Sequence, residues 1–306
     1  MAYPRPRFTL AQLQYFIATA ETGSISTAAQ QLHASQSAMS SAIHRLEREL
    51  GCDLFIRHHA RGVSLSANGR RLLDEARTLL HDALAFQENA RSLQGSLSGE
   101  LHAGCFVTLA PFYLPPVLTR LRSRHAGLRV QVHETDGAGL HDLLRSGACE
   151  IALTYRLDLG DDMAFEHLAQ LRPYALVSER HPLAGRSEAT LSQLSRFPMI
   201  MLDLPESSRF MLGMLARAGA RPPEIIRTTS FETMRALVAA GEAFTILNQR
   251  PRTPGTEGGR THEVAITDAE PVVLGLIQVA NIRPNRRVLA FGEECRAVAA
   301  TLTAGT

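Results

Sequence analysis

Lysine is missing from this chain: all 32 basic residues are arginine, set against 30 aspartates and glutamates. Genome composition accounts for such a bias, although arginine also suits bidentate contact with phosphate. Cysteine is scarce. Cys52, Cys105, Cys149 and Cys295 lie far apart, with no CxxC pair and no Cys/His cluster. That spacing excludes a zinc framework and a secreted disulfide scaffold, so no metal is expected. The four thiols read as small buried hydrophobes, with a redox switch at Cys105 or Cys149 as the alternative. No run of eighteen apolar residues occurs, and an opening that carries Pro4 and Pro6 is no secretory signal. A cytoplasmic protein with no membrane partner is therefore expected. Glycine-rich phosphate loops are also missing: Asp136-Gly137-Ala138-Gly139 lacks the third glycine of a dinucleotide fingerprint. No serine sits in a G-x-S-x-G frame, and Asp161-Asp162 has no acid–base partner nearby in sequence. These absences predict no cofactor, no catalytic residue and no enzyme.

What the chain does have is concentrated near its start. Leu13, Phe16, Ile17 and Ala20 recur at helical spacing over about 9–21, where Thr9 and Gln12 have the spacing of a capping box. A second helix begins near Ser26 and turns Ala28, Ala29 and Leu32 inward. After the turn His33-Ala34-Ser35, a third helix runs to Gly51, with Ser35 as its cap. Met39, Ile43, Leu46 and Leu50 define its buried stripe. An advance of about 100° per residue puts Ser37, Ser40, Ser41, His44 and Arg48 on the other side. That short, polar face suits a DNA major groove. Leu54-Phe55-Ile56 and Val63-Ser64-Leu65-Ser66 read as two strands of a wing with a basic tip, Arg57 to Gly62. Residues 1–71 hold eight arginines against four acids, a surplus of four, while the remainder has two more acids than arginines. Local positive charge of this kind is what phosphate contact needs.

A long helix follows, from about Ser66 to Gln94. Leu72, Ala76, Leu79, Ala83, Phe86, Ala90 and Leu93 form a heptad seam, which predicts pairing with the same helix of a second copy. Gly95 to Gly99 is a flexible joint. Residues 100–306 then alternate short apolar runs with helical segments, the pattern of parallel α/β sheets. Ligands bind such sheets beyond the carboxyl ends of their strands. That rule selects Thr108, Tyr155, Asp203, Thr229, Ser230, Phe231 at the start of a helix, and Asn248. Thr108, just ahead of a helix start, has the means to hold an anion. Arg250 to Arg260, rich in Pro, Gly and Thr, reads as a surface loop.

The run from Leu13 to Leu80 resembles the LysR-type transcriptional regulators. The matching residues are Phe16, Ser24-Ile25-Ser26-Thr27-Ala28-Ala29, Leu32, Ser35-Gln36-Ser37-Ala38-Met39-Ser40, Ile43, Leu46-Glu47, Leu50-Gly51, Leu54-Phe55, Arg57, Arg61-Gly62 and Leu65-Ser66-Ala67-Asn68-Gly69. The resemblance implies an N-terminal winged helix-turn-helix (residues 1–65), a linker and dimerisation helix with hinge (66–98), and an effector domain (99–306). That last part would be a two-lobed α/β domain like periplasmic binding proteins, with lobe 1 at about 100–170 and 275–306 and lobe 2 at about 171–274. The partners implied are double-stranded DNA, a small-molecule effector in the cleft between lobes, organic acids among the candidates, and further copies in a homodimer or homotetramer. Ser35, Gln36, Ser37, Ser40, Ser41, His44, Arg45, Arg57 and Arg61 are the expected DNA-contacting set, and Leu72, Ala76, Leu79, Ala83 and Phe86 the pairing set. Two rival readings stand: a solute-binding or enzymatic α/β protein whose head serves only assembly, and a cysteine redox-sensing regulator.

Overall fold

Residues 5–58, 62–92, 97–250 and 259–303 are described by the computed structural model. They divide into two units, Met1–Gly95 and Ser96–Thr306.

In the first unit, α1 (Leu10–Thr22) opens on the expected capping box between Thr9 and Gln12 and ends at Gly23 in the left-handed region. Ser24 caps α2 (Ile25–Gln31), and Ser35 caps α3 (Gln36–Leu50). β1 (Phe55–His58) and β2 (Gly62–Leu65) pair antiparallel as the wing. Phe16, Met39, Ile43, Leu46 and Leu54 are fully buried together, each contributing about 1.5–3 kcal/mol. Leu50, read as the end of the buried stripe, is instead 37% exposed. It is the last residue of α3, beyond the reach of the core, and Ala42 is buried in the stripe in addition. Gly62 is needed where it stands: its φ is +82°, and a Cβ would lie 2.5 Å from the Gly23 carbonyl oxygen.

α4 (Ala67–Ser92) starts where the Ser66 hydroxyl accepts from the Gly69 amide at 2.9 Å. Its first turns lay Leu72, Leu73, Ala76 and Leu80 on the head's own core. Further along, Leu79 is 49% and Phe86 77% exposed. Leu72 and Ala76 thus pack inside the unit, while Leu79, Phe86 and the half-exposed Ala83 face outward. Ala90 and Leu93 lie outside the described side chains.

The second unit begins with β3 (Ser98–Phe106), α5 (Ala110–Arg124), β4 (Gly127–Thr135), α6 (Gly137–Arg145), β5 (Ile151–Tyr155) and β6 (Met163–Leu171). The chain then crosses into a second sheet: β7 (Tyr174–Ser178), β8 (Glu188–Ala189), α7 (Leu191–Leu194), β9 (Met199–Leu202), α8 (Pro205–Arg217), β10 (Ile225–Thr228), α9 (Phe231–Ala240), β11 (Phe244–Leu247) and β12 (Thr261–Ile266). It returns through β13 (Val272–Val279) and ends on α10 (Arg286–Thr303). The sheet orders are β4-β3-β5-β13-β6 and β10-β9-β11-β7-β12-β8. The sheets are mixed and not wholly parallel. β13 runs antiparallel to β5 and β6, and β7 antiparallel to β11 and β12. Strands that enter or leave a lobe without a crossover helix have no route to a parallel neighbour. Gly275 lies where β13 crosses β6, and a Cβ there would sit 2.3 Å from the Glu166 carbonyl oxygen. Among the described residues, no helix is long and apolar enough to cross a membrane.

Candidate nucleic-acid interface and ligand cleft

Gln36, Ser37, Ser41, His44 and Arg45 are exposed along α3, and Ser40 is half-buried at the edge of the same face. Ser35 has a local duty: its Oγ accepts from the Ala38 amide at 3.2 Å and lies 3.2 Å from Ser37 Oγ. The helix start is therefore capped yet open to an approaching phosphate. Arg57, on the wing, donates from Nη2 to His44 Nε2 at 2.7 Å, and His44 Nδ1 lies 3.4 Å from Glu47 Oε2. The two contacts fit one imidazole tautomer, with the proton on Nδ1 and the Nε2 lone pair taking Arg57. His44 thereby ties the wing arginine to the polar helix. Arg61 lies outside the described residues. His58 is held by Ser64, Nε2 to Oγ at 2.8 Å.

Sequence reasoning passed over Glu47. It is only 9% exposed, and its Oε1 accepts from the amides of Leu54 and Phe55 at 2.9 and 3.3 Å. One carboxylate fastens α3 to the start of the wing while its other oxygen faces His44. The signal was available: a charged residue placed beside Leu46 and four after Ile43 falls on the apolar stripe.

In the second unit, a cleft with about 460 Å³ of empty space, open mouth included, lies between the two sheets' loops. Thr108, Tyr155, Phe231 and Asn248 line it, as the strand-end rule predicts, together with Leu202, Ser207, Met211, Met234, Ile246, Leu247 and Gln249. Asp203, Thr229 and Ser230 are not brought to its lining. Asp203 pairs with Arg227 Nη1 at 2.7 Å, Ser230 caps α9 by accepting from Thr233, and Thr229 is exposed. Thr108 Oγ1 donates to the Tyr155 hydroxyl at 3.4 Å. Burial drives the Tyr155 phenol well above its ordinary range and the Tyr113 phenol up to about 12, with the Gln249 amide beside both pulling slightly the other way. Both tyrosines are thus neutral hydrogen-bonding groups.

Contacts also bridge the lobes around this cleft. The Ala138 amide at the start of α6 donates to Glu206 of α8 at 3.2 Å, and Arg209 of α8 pairs with Asp158 beyond β5. Phe112 of α5 meets Phe231 of α9 edge to face at 6.5 Å. Glycine at 137 leaves room for the Glu206 carboxyl, whose carbon would be 3.3 Å from a Cβ there.

All four thiols are free. Cys105, Cys149 and Cys295 are buried in lobe 1, and lobe 2 has none. Burial raises all three, Cys149 to about 11, and the neighbouring Cys295 raises Cys105 further.

A winged helix-turn-helix joined by a long helix to a two-lobed domain with an open, largely apolar cleft defines a ligand-responsive, DNA-binding transcriptional regulator. The chain belongs to the LysR family: residues 10–70 match the bacterial regulatory helix-turn-helix of that family, and residues 94–300 match the LysR substrate-binding domain. It is 33% identical over 270 residues to the SDS degradation transcriptional activation protein of a Pseudomonas species, covering 87% of this chain and 86% of that protein. It is 30% identical over 236 residues to the DNA-binding transcriptional dual regulator OxyR of Escherichia coli, covering 77% of each. The crystal structure of HinK, a LysR-family regulator of Pseudomonas aeruginosa, superposes with a TM-score of 0.62 at 30% identity, over 95% of this chain and 98% of that one.

Proposed function

We propose that residues 1–65 read DNA, 66–98 pair two chains, and 99–306 sense a small molecule in the inter-lobe cleft. Gln36, Ser37, Ser40 and Ser41 face base edges, while Arg57 and Arg61 hold phosphates beside them. Leu79, Ala83 and Phe86 join two α4 helices, and paired heads within a homotetramer address an interrupted palindrome. The protein is a cytoplasmic regulator and not a catalyst. The observation that carries this reading is the exposed polar face of α3 with a wing arginine hydrogen-bonded onto it. An effector acts only if it binds two lobe arrangements with different affinity. The Glu206–Ala138 and Arg209–Asp158 contacts supply an arrangement to be made or broken.

The test separates base reading from phosphate holding. Gln36→Ala should cost about 1–3 kcal/mol at one base position, whereas Arg57→Ala should weaken all sequences evenly and flatten the salt slope. Equal loss across scrambled operators for Gln36→Ala contradicts base reading. The similarity to OxyR favours a second reading, peroxide sensing by cysteine. Low-pKa, accessible thiols are the reactive ones, and the three lobe 1 thiols are buried with raised pKa values. Peroxide-dependent DNA binding that is lost in Cys105→Ser or Cys149→Ser is the outcome that would support it.

A further inference from the structure

We infer that the cleft takes an uncharged small molecule, an apolar body bearing one or two hydroxyl, carbonyl or amide groups, and not an organic anion. The inference rests on the reading of the cleft as the effector site. Among the described residues, no charged side chain lines the cleft. Met211, Phe231 and Met234 give apolar wall, and Thr108, Tyr155 and Gln249 give neutral donors and acceptors. Of the charges nearby, Asp203 pairs with Arg227 and Asp158 with Arg209, while Glu206 accepts from the Ala138 amide through Oε1 and keeps a buried Oε2 without a hydrogen-bond partner, an oxygen that repels an anion.

Helix starts are the remaining means of holding an anion, and at this cleft each is blunted. α5 carries Pro111 in its first turn, which removes one amide donor. α8 begins with Pro205 followed by Glu206, and α9 is capped by Ser230 with Glu232 in its first turn. A carboxylate at either of the last two positions opposes a second anion. Meanwhile Gln249, only 9% exposed, has a buried Nε2 that makes no full-strength hydrogen bond and has only the neighbouring Tyr113 and Tyr155 hydroxyls beside it. One neutral oxygen is enough to satisfy such a donor. Moving a carboxylate out of water into this lining would leave its charge uncompensated, at far greater cost than moving an alcohol or amide.

The experiment uses the full chain and size-matched pairs at millimolar concentration: benzamide with benzoate, hexanamide with hexanoate, and 4-hydroxyacetophenone with 4-hydroxybenzoate. Saturation-transfer NMR is recorded on the wild type and on Met211→Trp, which fills the cleft, with Ser207→Trp as the second filling variant should the first not fold. The neutral members should bind at least tenfold more tightly than their carboxylates and lose their signal in the filled cleft. Carboxylates that bind as well or better, and are displaced by the filling variant, overturn the ligand class while leaving the cleft as the effector site. Binding unaffected by filling, or no binding by any pair, overturns the cleft reading and this inference with it.

Discussion

Replacing Glu47 with alanine tests how the polar helix is fixed to its wing. The Leu54 and Phe55 amides both donate to Glu47 Oε1, at 2.9 and 3.3 Å, in a buried setting. Truncation strands both donors, and a buried donor left unmade costs about 1–3 kcal/mol. A net loss of about 2–4 kcal/mol is expected, out of a total of roughly 5–14 kcal/mol for a unit of this size. Glu47→Gln keeps an oxygen acceptor in place and forfeits only the charge assistance, about 1 kcal/mol. Hydrogen exchange by mass spectrometry on the full chain reads this directly, because the affected amides lie in a single stretch from Cys52 to His58. If opening of this region governs exchange, Glu47→Ala should speed it about 30- to 900-fold and Glu47→Gln about fivefold, at about 1.36 kcal/mol per factor of ten. Unchanged protection in Glu47→Ala, or a glutamine variant as damaged as the alanine one, refutes the reasoning.

Three further outcomes concern the wing, the long helix and the effector unit. His44→Ala should weaken DNA binding about three- to tenfold for every sequence, since Arg57 loses an acceptor worth about 0.5–1.5 kcal/mol; fluorescence anisotropy that shows a loss confined to one base position contradicts the positioning role. Leu79→Asp should raise the dimer dissociation constant by at least 100-fold in sedimentation velocity, because each of the two chains loses about 1.5–3 kcal/mol of apolar burial, and a dimer of unchanged affinity removes the pairing argument. The effector unit should lose stability in alkali: Cys105, Cys149 and Cys295, with Tyr113, Tyr155 and Tyr174, all hold their protons more tightly folded than unfolded. Their contribution is complete below the ordinary thiol value of 9.0 and declines as pH climbs toward the folded values, about 11 for Cys149 and about 12 for Tyr113. Calorimetry between pH 7.5 and 10.5 should show Tm falling from about pH 9 upward, and a flat Tm counts against the buried-acid account.

The head was readable because its information is local. Thr9 with Gln12, Ser24, Ser35 and Gly51 each declare a helix end within four residues of the groups they satisfy. Glu47 escaped notice because its partners lie seven and eight residues away, across the bend into the wing. The cleft was legible only in part. Thr108, Tyr155, Phe231 and Asn248 stand at or just beyond strand ends, where a general rule finds them. Ser207, Met211 and Met234 lie on helices and Gln249 one step further along a loop, all in lobe 2, so the packing of that lobe brings them to the cleft. β6 has no clean alternation of buried and exposed residues, and β12 has only two buried positions, so neither announces itself as a strand. The antiparallel strands that make the sheets mixed depend on pairings far apart in sequence, as between Val272 and Leu171 or Phe244 and Val177, which no local pattern records.

The central claim is that paired copies of α3 lie in successive major-groove faces of one duplex. A hydroxyl-radical footprint of the purified full chain on the intergenic DNA beside its own gene tests it most directly. The account predicts protected tracts on one face of the duplex, their centres separated by about 10–10.5 base pairs or a multiple of that, sensitive to salt and abolished in a Gln36→Ala, Arg57→Ala double variant. Absence of any saturable protection, or tracts that persist in that variant, contradicts it.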